Sequence, residues 1–439
     1  MRRIAALILA LCGTAVMLPG SASAAEPTRL VVDDDGQQCA ADFTSIQAAV
    51  DHATSGDVVQ VCPGRYAERV VVDKPLVLRG QPDAIEALDC FATEPLPDDA
   101  DVAGLVIVEP PDSVLAPLFT LAADDVEVAG FVMQGMRQQA AVYIGDYPTY
   151  TPLLATDAGY AGYQIHHNLL RSSTLGAELG GNATARTRFH HNCLRDNRWA
   201  LANQRQPLDG ARIDHNESFR TEIFAYEIGW GYAGTEAVLL DHNVSRADYI
   251  TFRVENSTAT TIDQNDSTPG GRGILVYGGN TQFKLTGNVF TGGSLGGIAF
   301  PAPGTAVPQP TVAPLVSGNT VTGFSAVGIS LGRNAQISGA EIAANVASGN
   351  GTMGVQIFDG NGPNLFTGNI ADRNGLYGIR TWPGASGNTI RANQMLGNGQ
   401  YDAREESYQK TDDGYLLLNS WLENTCATAF PTSTICSQA

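Results

Sequence analysis

The sequence predicts an all-β solenoid, a chain wound into stacked coils of short strands, and three observations predict it. The first is a recurring phrase: an apolar residue, two variable residues, then Asn. It recurs at Asn168, Asn192, Asn216, Asn243, Asn265, Asn288, Asn319, Asn345, Asn369 and Asn393, with spacings between 22 and 31 residues. A repeat in that range means a stack of similar units, each burying its neighbour's open face. The second is a phrase eight or nine residues after the Asn. It reads small, apolar, variable, apolar, as in Gly273-Ile274-Leu275-Val276 and Gly354-Val355-Gln356-Ile357. Such alternation is a strand with one buried face. The third is the gap between the two phrases, too short for a crossover helix. Each coil is therefore made of strands, with rungs stacked about 4.8 Å apart.

The Asn is explained by the corner it occupies. A tight corner favours a residue that tolerates a left-handed backbone and bonds its own main chain. An inward amide must also have its donors and acceptor satisfied, and Asn stacked on Asn does this. The pattern over residues 165–393 resembles the right-handed parallel β-helix of the pectin-lyase-like superfamily, in its exported bacterial form. The resemblance implies the scaffold but no single activity, because the fold hosts lyases, hydrolases, esterases, epimerases, adhesins and inert fibres. The Asn-Thr-Asp, Gly-His-Gly and Arg-Ile-Lys set of polygalacturonases is absent, as is the Asp-Pro-His-Asp of mannuronan epimerases. No catalytic residue carries over from those families.

Residues 1–24 read as a secretory signal peptide. Arg2 and Arg3 precede an apolar run, and Ala22-Ser23-Ala24 is a small-x-small cleavage site. The run is short for a membrane span, so the protein is expected to be secreted. Residues 25–80 form an N-terminal cap with the first rungs. They hold a strand at Leu30-Val31-Val32, an acidic turn at Asp33-Asp34-Asp35, a helix over 44–53 with Ser or Thr as N-cap, and rungs at 57–61 and 70–78. A solenoid end needs cover, and the helix is assigned that task. The stretch 42–50 resembles the start of pectin methylesterases, a likeness of the cap alone. Residues 81–399 are the β-helix proper. Within them 84–101 reads as an acidic loop, weaker rungs fall at 106–108, 119–121, 126–128 and 142–144, and 145–162 is an aperiodic insertion. Residues 400–439 form a C-terminal cap, with residues 415–418 and Trp421 expected to cover the last rung. No linker divides the chain, which is read as one domain and a monomer.

The net charge is −19, and loss of the signal, whose only charged residues are two arginines, deepens it. An acidic surface argues against nucleic acid and anionic membranes as partners. Six Cys remain once Cys12 leaves with the signal, an even number that suggests disulfides in an exported chain. Cys39 and Cys62 bracket one helix and strand, and Cys426 and Cys436 bracket a Pro-containing loop, so both pairs read as staples. Cys90 and Cys193 are left open between a third bridge and buried thiols.

His167, His191, His215 and His242 each precede a ladder Asn and should form a column. Beside it runs a second column of His166, His190, Asp214, Asp241 and Asp263. A metal site needs convergent ligands, whereas stacked rungs supply a row, so no metal is expected there. No cofactor is firmly implied. Ca²⁺ at Asp33-Asp34-Asp35 is the alternative to a solvated turn.

The outward position of the recurring strand reads Glu178, Ala202, Glu227, Arg253, Leu275, Ala299, Ser330, Gln356 and Arg380, rung by rung. The next outward position adds Gln204, Glu255 and Tyr277. Glu227, Arg253 and Glu255 should therefore meet, and they are the candidate catalytic residues. Paired carboxylates can serve as acid and base or acid and nucleophile. An adjacent Arg can orient a uronate carboxylate or stabilise an anionic intermediate. Gln204, Tyr226, Trp230 and Tyr277 are the candidate substrate-binding residues, with aromatic faces for sugars. The resulting reading is a polysaccharide lyase or glycoside hydrolase acting on an extracellular polysaccharide, including uronate-containing ones. The rival is a non-catalytic polysaccharide-binding or cell-surface protein, in which the three charges are only a cross-rung ion-pair cluster.

Overall fold

The computed structural model describes residues 27–97, 104–137, 142–144, 147–204, 206–229, 234–302 and 309–436, with the backbone alone at 142–144 and 147–149. Three long sheets run along one axis. In chain order within a coil, sheet one has 15 described strands from Arg29–Val32 to Ser420–Leu422. Sheet two has 10, from Gly64–Ala67 to Thr320–Thr322, and sheet three has 14, from Val70–Val72 to Ala429–Phe430. The pairings within these sheets are parallel. The apolar residue of the Asn phrase forms one fully buried row in sheet one, with Ile165, Phe189, Ile213, Leu240 and Ile262 in register.

The Asn ladder is continuous. Asn168 N donates to Asn192 Oδ1 at 3.0 Å, and the same bond repeats from coil to coil. Each Nδ2 also reaches main-chain carbonyls, as Asn288 does to Ile262 O and Thr286 O at 2.9 and 3.0 Å. The left-handed backbone lies one residue earlier than expected. His167, His191, His215 and His242 have φ between 50° and 54°, and Gly287, Gly318 and Gly368 take the same place in later coils. The Asn itself turns inward, because its amide must reach the buried carbonyls. The ladder also extends one coil further, since Asn393 N donates to Asn424 Oδ1. Trp421 stands three residues before Asn424 and completes the phrase. A second ladder, unread in the sequence, fills the corner between sheets two and three through Asn350, Asn374 and Asn398. At one coil Asp248 fills the corner instead, accepting from Thr221 N and Ser245 Oγ, and its burial pushes its pKa up to about 6.

Several expectations for the irregular parts are corrected. A short helix, Pro82–Glu86, with Pro in its first turn, takes in the first residues of the acidic loop predicted over 84–101. The strand Val142–Ile144 is not a rung. It pairs antiparallel with Tyr147–Thr149. The insertion in turn contains a regular rung, Pro152–Thr156, seated between Phe119–Leu121 and Leu175–Glu178. Near the C-terminus Tyr401–Glu405 is another sheet-three rung, followed by the hairpin Tyr408–Thr411 and Gly414–Leu417. Tyr415 and Leu416 are exposed rather than covering the last rung. The helix Ile46–His52 is capped by Ser45, whose side chain accepts from Ala48 N, and it buries Ile46, Ala49 and Val50 in the main core. All three cysteine pairs are disulfides, Cys39–Cys62, Cys90–Cys193 and Cys426–Cys436. Among the described residues no helix is long and apolar enough to cross a membrane.

Candidate functional site

The outward row of sheet three has the register read from the sequence. Glu178, Ala202, Glu227, Arg253 and Leu275 stand on successive strands, followed by Ala299, Ser330, Gln356 and Arg380. Strand alternation sends Tyr226 the other way. Tyr226 is fully buried in the coil interior and stacks on Phe252 at 5.3 Å. It is a core residue and cannot line an outward groove, which corrects its assignment to substrate binding.

Glu227, Arg253 and Glu255 do converge. The Arg253 guanidinium forks between the two carboxylates, Nη1 on Glu227 Oε1 and Nη2 on Glu255 Oε2 at 2.9 Å. Its plane lies 5.5 Å from the Phe224 ring and 4.9 Å from the Tyr277 ring, so two aromatic faces hold it. The position of Glu255 depends on Gly229, whose φ is +77° and where a Cβ would come within 1.8 Å of Glu255 O. The patch is not exposed as expected. Glu227 is 0 % and Glu255 5 % exposed. Gln204 is also buried, its Oε1 taken by Tyr150 N at 2.9 Å. Tyr150 stacks on Trp199 at 4.4 Å beside this face. Trp230 and Tyr232 lie outside the described residues.

Burial dominates the electrostatics. It pushes the Glu227 carboxyl up to about 7 against the pull of Arg253, and the Glu255 charge adds to the rise. Burial also opposes the Arg253 charge, but Glu227 and Glu255 outweigh it and hold that pKa above its ordinary value. Glu227 Oε2 and Gln204 Nε2 are buried without a hydrogen-bond partner among the described residues. Such atoms are uncommon in native proteins, and a functional role is one of the recognised reasons for them.

The His column forms as read. Successive rings of His167, His191, His215 and His242 lie 5.2, 5.1 and 5.0 Å apart and within 7° of parallel. His166 and His190 stack beside them at 4.9 Å. His215 and His242 bond Asp214 and Asp241 through Nδ1, at 2.9 Å each. The rings form a row, and among the described residues the only groups whose ligand atoms converge lie at Asp33, with Asp34 and Asp35 or with the Cys39–Cys62 disulfide.

A residue missed by the sequence reading is Arg272. Simple alternation places it inward, two residues before the core residue Ile274. The small residue of the phrase changes this. Gly273 faces the core, where a Cβ would meet Phe290 at 2.7 Å. Two consecutive residues, Gly273 and Ile274, therefore face in, and Arg272 joins the outward row of Phe224 and Ile250. The recurring Gly at this place was the available signal.

A family model described as "Right handed beta helix region" matches residues 230–395. No curated protein matches the sequence significantly. Among solved structures, the A-module of a mannuronan C-5 epimerase from Azotobacter vinelandii is 13 % identical, with 86 % of this chain and 88 % of that chain covered and a TM-score of 0.40. The catalytic unit of a GH87 α-1,3-glucanase from Streptomyces thermodiastaticus is 16 % identical, covering 94 % and 72 %, with a TM-score of 0.46. A DFA-IIIase from Arthrobacter chlorophenolicus is 13 % identical, covering 82 % and 93 %, with a TM-score of 0.45. Its three long parallel sheets and the family match over residues 230–395 show a right-handed parallel β-helix.

Proposed function

We propose that the protein is an exported carbohydrate-active β-helix, a polysaccharide lyase or glycoside hydrolase, with its reaction centre at Glu227, Arg253 and Glu255 on the outward face of sheet three. The observation that carries this reading is the state of Glu227: a carboxyl with a pKa of about 7 whose Oε2 is buried without a hydrogen-bond partner among the described residues, beside a cation and a second carboxylate. Perturbed titratable groups gathered at one place are characteristic of reaction centres. As a hydrolase, Glu227 would give its proton to the leaving glycosidic oxygen, with Glu255 as nucleophile or base. As a lyase, Glu255 would take the α-proton, Arg253 would stabilise the enolate-like intermediate, and Glu227 would protonate the departing glycosidic oxygen. Gln204 and Tyr277 flank the reacting sugar in either case. The three disulfides support export.

One observation favours the non-catalytic reading. Arg253 already bonds both carboxylates, and Glu227 is fully covered. The deciding experiment is a panel of acidic and neutral polysaccharides scored for new reducing ends and unsaturated products. Turnover by the wild type, abolished in Glu227→Gln with folding intact, supports the enzyme. Full activity of Glu227→Gln, or a wild type inert across the panel, hands the case to a binding or cell-surface role.

A further inference from the structure

Among the described residues, the outward arginines within the strands of sheet three are matched by acids, with one exception. Arg253 is paired with Glu227 and Glu255, and Arg380 and Arg404 share Glu406. Arg272 is half-buried, and among the described residues its guanidinium has neither an ion pair nor a hydrogen bond, while its backbone N–H donates to Tyr249 O. Its guanidinium reaches across Gly296, where a Cβ would stand 3.2 Å from Nη1. There it forms one end of a groove of about 320 Å³ lined mostly by small or neutral side chains, among them Leu275, Ala299, Ser330 and Gln356. Among the described residues no acid lines the groove. Burial holds the Arg272 pKa below its ordinary value, with Tyr249 and Tyr277 the only titratable groups that offset this.

A half-buried charge without a counter-charge is costly. In a chain with a net charge of −19, acidic side chains are plentiful, yet none is placed here. The groove also offers neutral polar groups, since Gln356 Nε2 donates to Ser330 Oγ at 2.8 Å on its floor. It begins one rung beyond Arg253 and runs over four rungs, so its middle lies roughly 17 Å from Glu227 at the usual strand separation.

We propose that this groove is a binding subsite for an acidic sugar residue, with Arg272 supplying the counter-charge to its carboxylate and the Ser330–Gln356 pair meeting its hydroxyls. The proposal rests on the reading of sheet three as a polysaccharide groove and names the substrate class: a polymer bearing carboxylates. A guanidinium binds a carboxylate through a charge-assisted, bidentate fork. A sulfate ester presents similar oxygens, so the test separates the two.

Binding is measured calorimetrically on full-length Glu227→Gln, so that turnover plays no part. The probes are hexasaccharides of galacturonate, mannuronate and glucuronate, each beside its carboxyl-reduced counterpart, and a sulfated hexasaccharide beside its desulfated form. The expected result is at least one uronate hexamer bound about tenfold more tightly than its reduced form. Arg272→Ala should erase that preference, and Arg272→Lys should retain part of it. A preference unchanged in Arg272→Ala, a preference confined to the sulfated probe, or no binding of any uronate hexamer overturns the proposal. Arg272-dependent binding by a protein whose wild type turns over nothing would leave the subsite standing and remove only the enzyme.

Discussion

At the scale of single residues, the ladder amides and the buried glutamate make opposite predictions. Asn288 is fully buried. Its Oδ1 accepts from Asn265 N and Nδ2, and its Nδ2 donates to Ile262 O, Thr286 O and Asn319 Oδ1. Asn288→Ala strands several buried polar groups at once and is expected to cost about 1–3 kcal/mol in denaturant unfolding. A loss near zero would mean that the ladder is decoration. Glu227 is the reverse case. Its folded pKa of about 7 lies above its ordinary value of 4.5, so the native state holds a proton that the unfolded chain has released. Stability from this group is present below about pH 4.5 and lost as pH rises through 7. Glu227→Gln, which keeps the shape without the charge, should match or exceed the wild-type melting temperature at pH 8. A clear loss there would show that Glu227 is held as a stabilising ion pair. The convergence of Glu227, Arg253 and Glu255 was legible because one register runs through every coil. The inward direction of Tyr226 was legible from the same alternation, but that of Arg272 was not, because side-chain direction at the start of the strand depends on the small residue that faces the core.

At the scale of elements, the His column sets a pH dependence of its own. Burial lowers His167, His190 and His191, and the neighbouring imidazoles and Arg188 add to it, taking His190 down to about 3. The unfolded chain therefore takes up protons near pH 6.5 that the ladder refuses. The ladder's stability is present above that pH and is lost as pH falls. The carboxylates beside it act lower. His166 and Arg79 overcome burial to hold Glu127 at about 2. Burial opposes the charge of Asp214, but Arg188 and His215 hold it at about 2 as well. Their contribution fades only below about pH 4. Between pH 7 and 5 the wild type should lose melting temperature relative to His190→Asn, a difference in which the opposite contributions of Glu227 and Asp248 cancel. A difference that stays constant over this window would contradict the shared burial of the rings. Elemental analysis should find no stoichiometric zinc or copper. About one equivalent, lost in His191→Ala, would turn the row into a metal site. The columns could be foreseen because each His has a fixed offset from its Asn. Their left-handed backbone could not, since the sequence alone does not say which of two adjacent corner residues turns.

At the scale of the whole molecule, repetition makes the coil predictable and hides what departs from it. The ladder phrase specifies each neighbour locally, so most rungs could be read one by one. The segment following Pro82–Glu86 has no repeat to follow, and its place over sheet two is set by contacts far away in sequence. Arg195 Nη1 and Nη2 donate to Cys90 O and Glu94 O at 3.1 Å each, and Arg171 Nη2 to Pro97 O at 3.2 Å. The disulfide Cys90–Cys193 fixes the same strap across 103 residues of chain. Sequence spacing could not reveal that bridge, since only the folded coil brings position 90 over the rung that begins at 193. A cross-link closing so long a loop should stabilise by about 2–5 kcal/mol. The double variant Cys90→Ser/Cys193→Ser should lose stability in that range. Limited proteolysis should then cut first within residues 84–97, because only the arginine-to-carbonyl bonds and a small apolar cluster with Ile85, Leu88 and Leu96 still tie the strap among the described residues, while the ladder holds the coils. Unchanged stability with an uncut strap would show that these contacts suffice. Initial cleavage inside the coils would show instead that the strap supports the stack it covers.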